Sequence, residues 1–124
     1  MAWENPKDIL EGVVAGADLT AAQDSFVVID SNGAVVLNTS AGGVVDGVLI
    51  GKPDVGEPAS VALGGRCIVR CGAAVTAGDL VQSDAQGRAI TAVSATFAAG
   101  RALSTTSTAE ERLTIALKPA GYLP

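Results

Sequence analysis

A chain of 124 residues, 48% of them hydrophobic, has the length of one compact domain and enough apolar material to build a core. Its aromatics are only Trp3, Phe26, Phe97 and Tyr122, so that core must come from Val, Ile, Leu and Ala, and fifteen glycines favour short strands and tight turns over long helices. Eight cations against thirteen acids, a net charge of −5, supply no basic groove and speak against nucleic acid.

Taken in chain order, residues 1–18 are expected to form an N-terminal arm and residues 19–124 a single β domain. Residues 1–7 hold the one Trp of the chain, and Pro6 disfavours helix at Asn5, which promotes an extended entry. The start lacks a basic region followed by an apolar one, so it does not read as a secretory signal. No uncharged apolar run approaches the length of a bilayer span, and no membrane partner is expected. Only residues 9–23 leave room for a short helix, against interior glycines and an alanine-rich end.

From there the pattern is of strands. Residues 26–29 and 34–37 flank Asp30-Ser31-Asn32-Gly33, where Asn-Gly supplies the positive φ angles of a tight hairpin. Strands follow at 44–50, 60–63 and 66–71. Residues 80–83 and 88–93 flank Asp84-Ala85-Gln86-Gly87 as a second hairpin, and a further strand covers 97–103. The clearest signal lies at 112–118, where Leu113, Ile115 and Leu117 face one way and Arg112, Thr114 and Lys118 the other, the period of a half-buried strand.

Cys67 and Cys71 are the only cysteines. Four residues along a strand separate Cα atoms by roughly 13 Å, beyond the reach of a disulfide. Their even spacing places both, with Val69, on one face as buried free thiols. With no His and no second Cys pair, neither a metal site nor a cofactor is expected.

Sliding the chain by 54 residues superposes residues 25–63 on 79–117. The shift matches Val27 with Val81, Asp30 with Asp84, Gly33 with Gly87, and Ser40-Ala41 with Ser94-Ala95. It further matches Leu49 with Leu103, Glu57 with Glu111, and Ala62-Leu63 with Ala116-Leu117. One such unit cannot bury both of its faces, whereas two packed together can. The expected product is a mostly β protein, a small β-barrel or β-clip-like domain with internal duplication and pseudo-twofold character.

Residues able to do chemistry are scarce. Without His the commonest general base is missing, and the many Ser and Thr have no neighbour that would activate them. Glu110-Glu111 would point to opposite faces of a strand and reads as a solvated turn. The glycine pairs at 42–43 and 64–65 match no phosphate-cradling motif. Too few aromatics are available for a base- or sugar-stacking platform, and Ser104-Thr105-Thr106-Ser107-Thr108 reads as a flexible polar loop. No enzyme is expected. Charge is uneven: residues 1–57 hold nine acids and two bases (net −7), and residues 58–124 four acids and six bases (net +2). This is either an acidic solvated face or a complementarity between copies or with a partner.

Gly47-Val48-Leu49, Pro53, and then Gly56-Glu57-Pro58-Ala59-Ser60-Val61 resemble a segment of tailed-phage capsid decoration proteins, with the form G-V-L-x-x-x-P-x-x-G-E-x-A-x-V. Gly72-Ala73-Ala74-Val75-Thr76-Ala77-Gly78-Asp79-Leu80-Val81, then Asp84-Ala85-Gln86-Gly87-Arg88-Ala89, are similar to a second stretch of that family, and Gly100-Arg101-Ala102-Leu103 fits as well. The likeness runs from about Leu19 to Leu117 and is carried by the order and spacing of turns and apolar strands. It implies a cement protein made in the bacterial host cytoplasm and placed on the exterior of the virion capsid. The partners it implies are the major capsid protein shell and other copies of itself as a homotrimer. It also implies a β-clip-like core, an N-terminal arm that engages the shell, and no catalytic residue. Residues 1–18 match no family pattern, and Cys67 and Cys71 are not family hallmarks. An exposed Trp on an extended acidic segment is costly without a partner, so Ala2, Trp3, Glu4, Asn5 and Pro6 are the candidate capsid-binding residues, with Trp3 folding back on its own domain as the other option. A host- or glycan-binding surface module is the alternative function.

Overall fold

The structure, a computed structural model, describes residues 9–93 and 96–122. These residues form ten strands and no helix: β1 (Ile9–Val14), β2 (Phe26–Ile29), β3 (Val35–Leu37), β4 (Gly47–Ile50), β5 (Pro58–Ala62), β6 (Gly65–Arg70), β7 (Leu80–Ser83), β8 (Ala89–Thr91), β9 (Phe97–Ala102) and β10 (Arg112–Tyr122). They make two open, five-stranded antiparallel sheets in the orders β1-β5-β4-β2-β3 and β6-β10-β9-β7-β8. The second order is the first with five added to each strand. The described residues are therefore all β, without a closed barrel and consistent with the expected β-clip-like domain, and their two halves share one topology.

Local chemistry repeats with the topology. In the β2–β3 turn Asp30 Oδ1 accepts from the amides of Asn32 and Ala34, both at 2.9 Å. In the β7–β8 turn Asp84 Oδ1 accepts from those of Gln86 and Arg88, both at 2.8 Å. Gly33 and Gly87 close these turns at φ 78° and 74°, the left-handed region that glycine enters without penalty. At mid-sheet, a side chain at Gly47 or Gly100 would run into the carbonyl oxygen of Ala62 or Ala116 on the neighbouring strand.

Pairing corrects the alignment in one place. Val61 lies opposite Leu49, and its counterpart Ile115 lies opposite Ala102. Leu49 thus corresponds to Ala102 rather than Leu103, so the shift falls from 54 to 53 at β4/β9. From Leu37 to Gly47 the chain is one residue longer than from their counterparts Thr91 to Gly100, and a gapless comparison cannot register that.

The N-terminal boundary also differs from expectation. Ile9–Val14 is not helical, and it is not arm: it is the edge strand β1, paired antiparallel with β5. Its register slips between Leu10↔Val61 and Val13↔Ala59, at Gly12 with φ 83°. The extra residue of this bulge breaks the alternation that would have marked the strand, so the apolar residues read as neither period. Among the described residues the arm segment is therefore part of the first sheet, and residues 1–8 lie outside the description.

Two clusters form the core. One, built on Val27, Val35, Leu49, Ala59 and Val61, is closed by Leu19 and Ala22 of the β1–β2 connection. The other joins Val69, Val81, Leu113 and Ile115 of the second half to Phe26, Val48 and Ala62 of the first. Cys67 and Cys71 lie buried in it as free thiols, on one face with Val69. The equivalent faces of the two sheets therefore have different fates. Phe26 and Val48 are 0% and 2% exposed, whereas their counterparts Leu80 and Arg101 face outward. A twofold arrangement would bury both faces alike, so the halves stack head to tail, and the expected pseudo-twofold relation does not hold. Polar links span the junction: Arg112 Nε to Asp24 Oδ2 (3.1 Å), Arg70 Nη2 to Ser25 Oγ (2.8 Å), and a buried bond from Asn38 Nδ2 to Ser83 Oγ (2.7 Å).

Candidate binding surfaces

The acid pair that ends the 103–111 connection is densely bonded. Glu110, held at φ 71°, places its carboxylate between Arg70 Nη1 (3.1 Å) and Arg88 Nη1 (3.0 Å), and Arg88 Nε also meets Asp84 Oδ2 (2.9 Å). The Arg88 hydrogen bond, with the nearby Arg70 charge, holds Glu110 below the ordinary carboxylate range. Glu111 Oε1 accepts from the amides of Ser107 (2.9 Å) and Thr108 (2.8 Å) and from both hydroxyls, which lowers it in the same way. The hydroxyls read as a flexible loop are thus committed internally: buried Thr106 bridges to Val75, and Ser104 Oγ accepts from the Thr114 amide at 3.0 Å. With these carboxylates tied to arginines and turn amides, the arrangement does structural rather than acid–base work.

Among the open surfaces of the described residues, three combine apolar and charged groups. An apolar groove of about 430 Å³ lies where the described chain begins, with Ile9, Val48, Ile50 and Ala62 along it and Asp24 and Arg66 among its polar groups. A polar cleft of about 270 Å³ between the halves is lined by Lys52, Arg70, Glu110 and Arg112. The third is the outer face of the second sheet. On it, Ala116 of the interior strand β10 lies across from Arg66 on one side and Arg101 on the other, and Leu80 lies across from Arg101. One step along, Thr114 lies across from Ile68, and its carbonyl accepts from the Leu103 amide at 2.8 Å. Ile68 and Leu103 are 52% and 49% exposed.

Of the residues singled out from sequence, Ala2, Trp3, Glu4, Asn5 and Pro6 lie outside the described residues. The face built on Arg66, Ile68, Arg101 and Leu103 was not singled out. Alternation around Cys67 and Val69 already turned Arg66 and Ile68 outward, but only pairing through β10 brings Leu103 and Arg101 beside them. Among the described residues no cluster of His, Cys, Asp or Glu is arranged to hold a metal ion, and no helix is long and apolar enough to cross a membrane.

A small all-β domain with exposed apolar and charged sheet surface offers faces of the kind that meet other macromolecular surfaces. The chain belongs to the phage cement protein family, whose sequence profile matches residues 22–119. It is accordingly a structural phage protein associated with the virion capsid. In fold it is similar to the N base of the head fiber gp8.5 of bacteriophage phi29, with a TM-score of 0.73 at 14% identity, over 94% of this chain and 98% of that one. No curated protein sequence matches it.

Proposed function

We propose that this protein cements an assembled phage head: it adds to the outer surface of the shell after assembly and stabilises it, as a homotrimer made in the host cytoplasm. Membership of the cement protein family carries this reading. In it, Ala2–Pro6 lie along the major capsid protein and add main-chain hydrogen bonds to a shell strand, with Trp3 as the anchor in a pocket. The protein acts through binding alone, without catalysis, cofactor or nucleic acid.

The test is binding of purified protein to undecorated heads of the phage that encodes it, with head stability measured by release of packaged DNA on heating. Saturable binding and a higher release temperature are expected. In this reading, deleting residues 2–6, or Trp3→Ala, should leave the melting temperature within about 2 °C, since changes outside the core cost within about 0.5 kcal/mol. Either change should weaken head binding about tenfold or more, because an interface anchor is worth on the order of 2 kcal/mol. Heads that bind no protein, with glycans or host cells binding it instead, would replace cementing with host attachment. Undiminished binding of the truncated chain would move the contact from the arm to the β domain.

A further inference from the structure

We propose that the outer face of the second sheet is the self-association surface, and that it receives the acidic β4–β5 turn of the next copy. The inference rests on the self-association proposed above and assigns its two surfaces.

Four observations converge on this assignment. First, the face is apolar where a solvated sheet would be polar: Ile68, Leu103 and Leu80 are 52%, 49% and 37% exposed around the small side chains of Thr114 and Ala116. Second, its arginines have no carboxylate partner among the described residues. Arg70, Arg88 and Arg112 each pair with a carboxylate within the chain. Arg66 pairs with no carboxylate among the described residues, and Arg101 donates only to the Gly78 carbonyl, at 3.2 Å. Third, the corresponding row of the first sheet, Ala62, Val48 and Phe26, is buried by the second half of the same chain. A head-to-tail stack of two units covers the first such face and leaves the second open, and head-to-tail contacts between copies close into rings when the rotation permits.

Fourth, a complementary surface exists at the far end of the first sheet. The turn after β4 exposes Val55 (63%). It is bonded to the chain just after β1 by the Gly56 amide to the Ala15 carbonyl (2.8 Å), where Val14 (44%) is exposed across from Pro58. Asp54 precedes Val55, and Glu57 follows two residues after it. Asp54 Oδ1 accepts from the Val55 amide and Glu57 Oε1 from the Asp54 amide, both at 2.7 Å, and neither meets a cation among the described residues. Two exposed valines and two carboxylates without a cation thus match three exposed aliphatics and two arginines without a carboxylate among the described residues. Desolvating such pairs across an interface gives register and partner choice as well as affinity.

The experiment compares three variants with the full wild-type chain by sedimentation and light scattering across concentration: Arg66→Glu/Arg101→Glu, Asp54→Arg/Glu57→Arg, and all four changes together. Far-UV circular dichroism and melting check each fold, and the altered side chains are exposed. Each double variant is expected to raise the self-dissociation constant about 100-fold or more through like-charge contact. The fourfold variant restores opposite signs within one polypeptide and is expected to regain the wild-type mass. A face variant that assembles like wild type, or a folded fourfold variant that stays monomeric, overturns the assignment. A wild-type chain that is itself monomeric removes both this inference and the trimer. Head binding, measured in parallel, would still report on cementing. If the face variant keeps its mass and loses the heads, the face belongs to the shell.

Discussion

Gly100→Ala separates two reasons for a glycine in this fold. Gly100 sits in β9 between Leu117 of β10 and Val81 of β7, in the interior of the second sheet. A Cβ there meets the Ala116 carbonyl oxygen more closely than real side chains ever approach one, and the obstacle is backbone on a paired strand, which cannot rotate away. The strand must shift, at the expense of ladder hydrogen bonds on both sides. Overpacking in a core costs about 1–3 kcal/mol, and moving backbone in a central strand belongs at or above the top of that range. Gly12→Ala is the contrast. That position has φ 83° and nothing within 4 Å of the added methyl, so only left-handed strain applies, about 1–2 kcal/mol. At roughly 2.1 cal/mol/K per residue, 124 residues give about 0.26 kcal/mol per kelvin. Gly100→Ala should then lower the melting temperature by about 12 °C or more, and Gly12→Ala by about 4–8 °C. Gly47→Ala, which meets the equivalent Ala62 carbonyl, should behave like Gly100→Ala. Calorimetry or circular dichroism melts of the three variants decide the matter. A Gly100→Ala protein as stable as Gly12→Ala would refute both the clash argument and the equivalence of the two sheets.

Glu110 and Glu111 have folded pKa values below their ordinary 4.5, so their contribution is complete above that value and disappears as pH falls through the lowered ones. The melting temperature should therefore hold from pH 7 to about 5 and fall below it, and Glu110→Gln should melt lower at pH 7 and lose part of that acid dependence. Cys67 and Cys71 should react with a thiol reagent only on unfolding, since both are buried, Cys71 Sγ is bonded to the Thr108 carbonyl, and burial pushes the Cys67 thiol up. Rapid labelling of the native protein would show the β6 face assignment to be wrong. Arg112→Ala removes a half-exposed ion pair with Asp24 and should cost no more than about 1 kcal/mol in a denaturant melt, and a larger loss would mean that this link holds the two halves together.

The elements legible in the sequence were those whose signal is local. Asp-x-x-Gly turns carry their own hydrogen bonds, and strict alternation marks Leu113, Ile115 and Leu117 without reference to any partner. The 54-residue shift exposed the doubling of the fold because paired turns keep their spacing. What escaped was set by pairing between distant residues. β1 became a strand only because β5 offers it an edge across the Gly12 bulge, which disrupts the alternation a strand would show. The one-residue change of shift at β4/β9 appears only when Val61 and Ile115 are placed opposite Leu49 and Ala102. The difference between the two outer faces is likewise tertiary. Phe26 and Leu80, or Val48 and Arg101, occupy equivalent positions, and stacking alone decides which of each pair is buried. Alternation tells a side chain which side of its strand to take, and the packing of whole sheets decides whether that side meets core or partner.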